Sequence, residues 1–149
     1  MFRTAVALAA LTLSGFVCAD EQCSVTIQGT DQMTYDLKTI HVPASCKQFT
    51  VTLKHPGNLP RNVMGHNWVL TRKDDLKGVA DDGAKAGEGN DYIQPGDARV
   101  LAHTKLIGGN EQASVTLDTK GLKPGDDYVY FCSYPFHATV MKGTLSFGG

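Results

Sequence analysis

Apolar side chains recur at every second position along several short stretches of this chain, and that rhythm restricts the fold more than any other feature. Phe49, Val51 and Leu53 are interleaved with Gln48, Thr50, Thr52 and Lys54, and Ala113, Val115 and Leu117 alternate with polar neighbours in the same way. A strand turns successive side chains to opposite faces, so each run builds one apolar face and one wet face. Further strands are expected over 24–28, 35–42, 67–71, 99–105, 128–132 and 143–147, ended by Gly, Pro and Asp clusters such as Lys123-Pro124-Gly125-Asp126. Roughly seven or eight short strands predict an all-β fold, an antiparallel sandwich or Greek-key barrel. Residues 73–85 break the rhythm: Leu76, Val79 and Ala80 have helical spacing, with Gly78 and Gly83 as weak points. A short helix or flap outside the sheets is predicted there, and a loop over 86–97. No internal repeat, low-complexity tract or linker divides the chain.

The 149 residues begin with a segment that reads as a leader. Arg3 is followed by an apolar run from Ala5 to Leu13, and Val17 and Ala19 stand at the two small-residue positions that a signal peptidase reads. Residues 1–19 are therefore expected to be removed on export, leaving a single domain over 20–149. The apolar run is shorter than the ~20 residues of a spanning helix, and the mature chain is expected to hold no transmembrane segment. Lipidation of Cys18 is disfavoured by the bulk of Phe16 and Val17 before it. The 14 basic and 15 acidic side chains nearly cancel, so no electrostatic attraction to nucleic acid is expected.

Without Cys18, the exported chain carries Cys23, Cys46 and Cys132, an odd number. Cys23 and Cys46 lie among strand-like residues with no His or Met close by, and their pairing leaves Cys132 over. A spare buried thiol is often inert. Here, however, Cys132 opens the stretch CSYPFHATVM, which sets a thiol, an imidazole (His137) and a thioether (Met141) with four and then three residues between them. Pro135 forbids a regular helix in that stretch, so a turn at one sheet end gathers the three. One thiolate, two imidazoles and a weak thioether are the donors of an electron-transfer copper site. The second imidazole must come from His41, His55, His66 or His103. His66 is the best placed, after Gly65 and just before the apolar run Trp68-Val69-Leu70. A lone histidine at a strand start is nonetheless more often solvated or hydrogen-bonded, and spacing alone leaves this open.

Other chemistries fit less well. A Cys132–His137 nucleophile and base would lack a group to orient the imidazole. A zinc site leaves Met141 unexplained. A copper enzyme would need a second cluster, and His41, His55 and His103 are scattered. The main alternative is a copper carrier or buffer without an electron-transfer role.

Three stretches, KQFTVTLKHPGNLPRNVMGHNWVL, RVLAHTKLIG and CSYPFHATVMKGTL, resemble the azurins, small blue copper proteins of the cupredoxin family, and the likeness covers nearly the whole mature chain. The resemblance implies an eight-stranded Greek-key sandwich with one external helix and one copper ion held by His66, Cys132 and His137. It also implies weak axial contacts from Met141 and the Gly65 carbonyl, a Cys23–Cys46 disulfide, and His55 near the site without binding metal. The implied role is a periplasmic, non-enzymatic single-electron carrier serving c-type cytochromes, nitrite reductase, a peroxidase or a terminal oxidase. Asn67 is expected to tie the two ligand loops together, and to direct its backbone N–H at the thiolate, while Pro135 offers that sulfur no donor. Trp68 is read as core. Leu59, Pro60, Met64, Pro135 and Phe136 are apolar residues on loops and are expected to form a patch around His137. Two positions depart from the azurin pattern. Tyr134 stands where phenylalanine is usual, and Phe136 stands where glycine is usual. The Phe136 ring is expected to keep water from one side of the metal and raise its potential, with a solvent-facing ring as the alternative.

Overall fold

The alternating runs become strands close to their expected positions. The computed structural model describes residues 22–148, so the expected leader over 1–19, with Cys18, lies outside the described residues. The strands are β1 (Ser24–Gln28), β2 (Thr39–Val42), β3 (Gln48–Lys54), β4 (Val69–Arg72), β5 (Ala102–His103), β6 (Gln112–Asp118), β7 (Tyr128–Phe131) and β8 (Lys142–Phe147). They form one sheet in the order β1-β3-β6 and a second in the order β2-β8-β7-β4-β5. On the outer face of the first sheet, hydroxyl pairs Thr50–Thr116 and Thr52–Ser114 meet across β3 and β6 at 2.8 Å. On its inner face Phe49, Val51 and Leu53 are buried. They meet Ile40, Leu70, Tyr130 and Leu145 of the second sheet in one core. Trp68 is part of that core, stacked on Tyr130 with ring centroids 5.8 Å apart.

The sheets are not antiparallel throughout, as the strand count predicts. β1 lies parallel to β3, and β2 parallel to β8. After β1 the chain crosses to the opposite sheet for β2 before returning for β3, and a strand re-entering by such a crossover lies parallel to its neighbour. The run expected over 35–42 is shortened to β2 because Tyr35 turns inward, bridging Gly29 and donating its hydroxyl to the Asn67 carbonyl. A disulfide between Cys23 and Cys46, with Cα atoms 5.5 Å apart, joins the start of β1 to the entry of β3.

The external helix starts as a 3₁₀ turn, Lys73–Asp75, and continues as an α-helix over Leu76–Ala86. Val79 seals it onto the outer face of the second sheet, against Val69, Ile93 and Phe131. Its glycines are points of contact rather than defects. A Cβ on Gly83 would stand 2.1 Å from the Tyr92 carbonyl oxygen, and one on Gly78 would stand 2.4 Å from the Arg99 guanidinium. A one-turn helix, Arg61–Met64, precedes Gly65. Among the described residues, no helix is long and apolar enough to cross a membrane.

The packing at Gly83 sets the first prediction. Gly83→Ala should destabilise the protein by about 1–3 kcal/mol, because backbone of the 86–97 loop must move to admit the methyl group. Gly89→Ala, where nothing lies within 4 Å of the added carbon, should leave the denaturation midpoint nearly unchanged.

Candidate metal centre

The register of β4 against β7 assembles the site. Val69 pairs with Phe131, so the residues before Val69 run alongside those after Phe131. Beyond β7 the ladder with β8 continues by one bond, Cys132 N–H donating to the Met141 carbonyl at 3.0 Å. Cys132, Met141 and the 66–68 segment therefore meet at one end of the second sheet. His66 is held in a reciprocal backbone bridge with Ile107, at 2.9 and 2.8 Å. His137 opens a short 3₁₀ turn, and its N–H donates to the Tyr134 carbonyl at 3.0 Å.

The Cys132 sulfur lies 3.8 Å from His66 Nδ1, 3.6 Å from His137 Nδ1 and 3.8 Å from the Gly65 carbonyl oxygen. The sulfur and both histidines form a group able to hold one metal ion, the only such cluster among the described residues. Bond lengths of about 2.3 Å to sulfur and about 2.0 to 2.1 Å to nitrogen, at tetrahedral to trigonal angles, require S···N separations of about 3.5 to 3.8 Å. The donor set fits. His66 Nε2 is 2.9 Å from the Thr30 carbonyl and must carry the proton to donate there, which leaves Nδ1 bare toward the sulfur. Met141 is fully buried beside His66: a Cβ on Gly29 would stand 2.8 Å from the Met141 methyl and 3.0 Å from the His66 ring.

Asn67 joins the two ligand loops. Its Nδ2 donates to Ser133 Oγ at 2.7 Å and to the Asp91 carbonyl at 2.8 Å, while its Oδ1 accepts from Ser133 N–H at 2.9 Å. The backbone N–H groups of Asn67 and Tyr134 both act on the Cys132 sulfur, the second being a donor that the sequence reading misses. His55 lies against His66, ring centroids 4.4 Å apart, with its Nε2 2.9 Å from Asp31 Oδ1. It falls outside the donor cluster. The His66 support from Thr30 and the close approach at Gly29 are also absent from the sequence reading. A backbone carbonyl carries no residue signature, so no pattern could have marked Thr30.

Burial governs the charges of the metal-free site. Desolvation lowers His66 and His137 from the ordinary 6.5 to about 4. It pushes the Cys132 thiol up from 9.0 to about 12, against the pull of the two backbone N–H groups. The site without metal is thus neutral through the middle pH range, and a metal must displace the thiol proton to bind.

Phe136 departs from its expected role. Its side chain is 89 % exposed and points into solvent, so it does not dry one side of the site. The cause lies in the backbone, which at Phe136 adopts φ 70° and ψ −15°, the left-handed conformation. That geometry aims the side chain outward, and it is one that glycine adopts without cost. Of the expected patch, Leu59 and Pro60 are also exposed, and Met64 and Pro135 are half-buried, as is the adjoining Tyr134; Val63 and Val140 add exposed apolar surface on the same two loops. His137 keeps a small accessible surface, 3 %, whereas His66, Cys132 and Met141 are sealed.

A thiol and two imidazoles at one end of a two-sheet sandwich define a cupredoxin-type copper protein. Comparison with known proteins agrees. The model of copper-binding proteins of the plastocyanin/azurin family matches residues 21–148. The azurin of Bordetella pertussis is 61 % identical over 124 residues, covering 83 % of each chain. That of Pseudomonas aeruginosa is 52 % identical over 146 residues, covering 98 % of this chain and 99 % of its own. A solved azurin from the obligate methylotroph Methylomonas sp. strain J superposes with a TM-score of 0.83 at 46 % identity, covering 85 % of this chain and 98 % of that one. The chain belongs to the plastocyanin/azurin family of copper-binding proteins.

Two predictions follow from the metal-free site and its flanking turn. Below pH 6.5 the unfolded chain takes up protons on two imidazoles that the folded chain refuses until about 4, and above 9 it releases a thiol proton that the folded chain keeps. Denaturation midpoints of the metal-free protein should therefore be highest between about pH 6.5 and 9 and fall on both sides, with the acid-side fall reduced in His137→Gln. Phe136→Gly should raise stability by about 1 kcal/mol through relief of the left-handed backbone, measurable as a higher denaturation midpoint.

Proposed function

We propose that this protein is a single-electron carrier of the periplasm, exported through its first 19 residues and working as a domain over 20–149. The observation that carries the proposal is the sealing of the donor set except at the small accessible surface of His137. Copper held by His66, Cys132 and His137 supplies a one-electron Cu(II)/Cu(I) couple, to which thiolate, imidazole and thioether donors are well matched. Met141 and the Gly65 carbonyl, both beside the cluster, would add weak further contacts to the ion.

The protein's own contribution is rigidity and selective access. Thr30 fixes the His66 tautomer, Asn67 locks the ligand loops together, and the sheet end holds both, so the donors need not move between oxidation states. Two N–H groups directed at the sulfur stabilise its negative charge without adding a formal charge. With only that His137 surface open, an electron leaves or enters there, through a patch formed by Leu59, Met64, Tyr134, Pro135 and Phe136. Redox proteins of the periplasm, such as c-type cytochromes, nitrite reductase, a peroxidase or a terminal oxidase, are the proposed partners.

Visible and electron-spin spectra of the copper(II) form test this reading. An intense blue thiolate-to-copper band, lost in Cys132→Ser while the fold remains, is the expected result, and a colourless copper form defeats it. Met141→Leu should still bind copper and stay blue, with Cu(I) favoured and the reduction potential raised. Loss of copper binding in that variant would make Met141 a strong ligand instead.

A further inference from the structure

We propose that the Tyr134 hydroxyl is a latch that holds the two ligand loops closed over the metal position and so sets how readily copper enters and leaves; this rests on the copper reading above. Tyr134 lies between two ligands in sequence, and its side chain reaches the segment that carries the third. Its hydroxyl donates to the Asn62 carbonyl at 2.9 Å, inside the one-turn helix Arg61–Met64. That helix leads straight into Gly65 and His66.

The ring is fitted to the same task. It packs on His137 with centroids 4.6 Å apart, and Tyr92 supports it edge-on at 5.2 Å. A Cβ on Gly65 would stand 3.0 Å from the Tyr134 ring and 2.4 Å from the Arg61 carbonyl, so only glycine lets the loop lie this close beneath the ring. One side chain thus touches His137, covers Gly65 and bonds the turn before His66. The second tie between the loops, from Asn67 to Ser133, is buried on the inner side. The Tyr134 bond lies on the outer side, where the loops would part first. Phenylalanine, usual at this position in the family, would preserve the ring contacts and lose only this bond.

The helix Arg61–Met64 is a single turn, closed by Val63 and Met64 N–H groups on the Pro60 carbonyl at 2.9 and 3.0 Å. An isolated turn of that length does not hold itself, so its order depends on what it is tied to. Without the hydroxyl bond, the equilibrium for opening the loops should rise about fivefold, the worth of one neutral hydrogen bond.

Tyr134→Phe tests the latch. In the metal-free protein, amide hydrogen exchange at Val63, Met64 and His137 should quicken about fivefold, while that at Val51 in β3 stays the same. In the copper-loaded protein, a strong chelator should strip the metal faster by a similar factor, with the visible spectrum little changed. Unaltered exchange at those three amides, or an equal rise at Val51, overturns the latch. Faster exchange with an unaltered stripping rate overturns its control of copper. The exchange experiment needs no metal, so it judges the latch even if the copper spectrum defeats the functional reading.

Discussion

The antiparallel register of β4 against β7 is the constraint on which the site depends. With Val69 opposite Phe131, the next positions along the ladder bring Asn67 against Ser133 and set His66 beside the turn that starts at Cys132. A slip by one residue would reverse which side chains face the core, turning Trp68 and Leu70 outward and Val69 inward. The register is therefore enforced by the burial of Trp68, Val69 and Leu70 rather than by the donors themselves. The sheet thus brings Cys132, Met141 and the His66 segment to one end, and the short 3₁₀ turn adds His137.

Much of this was legible in the sequence, for identifiable reasons. β1 and β3 match their expected ranges because strict alternation and flanking turn residues mark them at both ends. Cys132, His137 and Met141 were legible as candidate donors, since a spare cysteine, a histidine and a methionine in one Pro-containing turn have few other uses. His66 was less so: spacing left it among several histidines, and its place depends on the β4–β7 pairing, a long-range fact. The parallel edge strands were not legible, because alternation reports faces and says nothing of direction. Phe136 was misread for a similar reason. Its size is visible in the sequence, but the left-handed backbone that turns it to solvent belongs to the fold.

Burial and hydrogen bonding divide the work at the metal centre. Desolvation alone would favour neutral imidazoles, the form that binds a metal, and a neutral thiol, which must lose its proton before it can bind one. The N–H groups of Asn67 and Tyr134 oppose desolvation at the sulfur, and the Thr30 carbonyl opposes it at His66. These partners are main-chain groups or short side chains held by strands and bridges, so they impose little ordering cost when the site changes charge.

The parallel pairing of β2 with β8 also governs when the molecule can be completed. Thr39 pairs with Thr144, so a strand near the start of the domain waits for one near its end, and loop closure over that span must be met before the pairing yields any contact. The ligand turn between Cys132 and Met141 lies immediately before β8 and is closed by it. Binding competence is thus a late event in folding, reached only once the last strand is in place, and a chain that still lacks that strand has no formed site in which to trap copper.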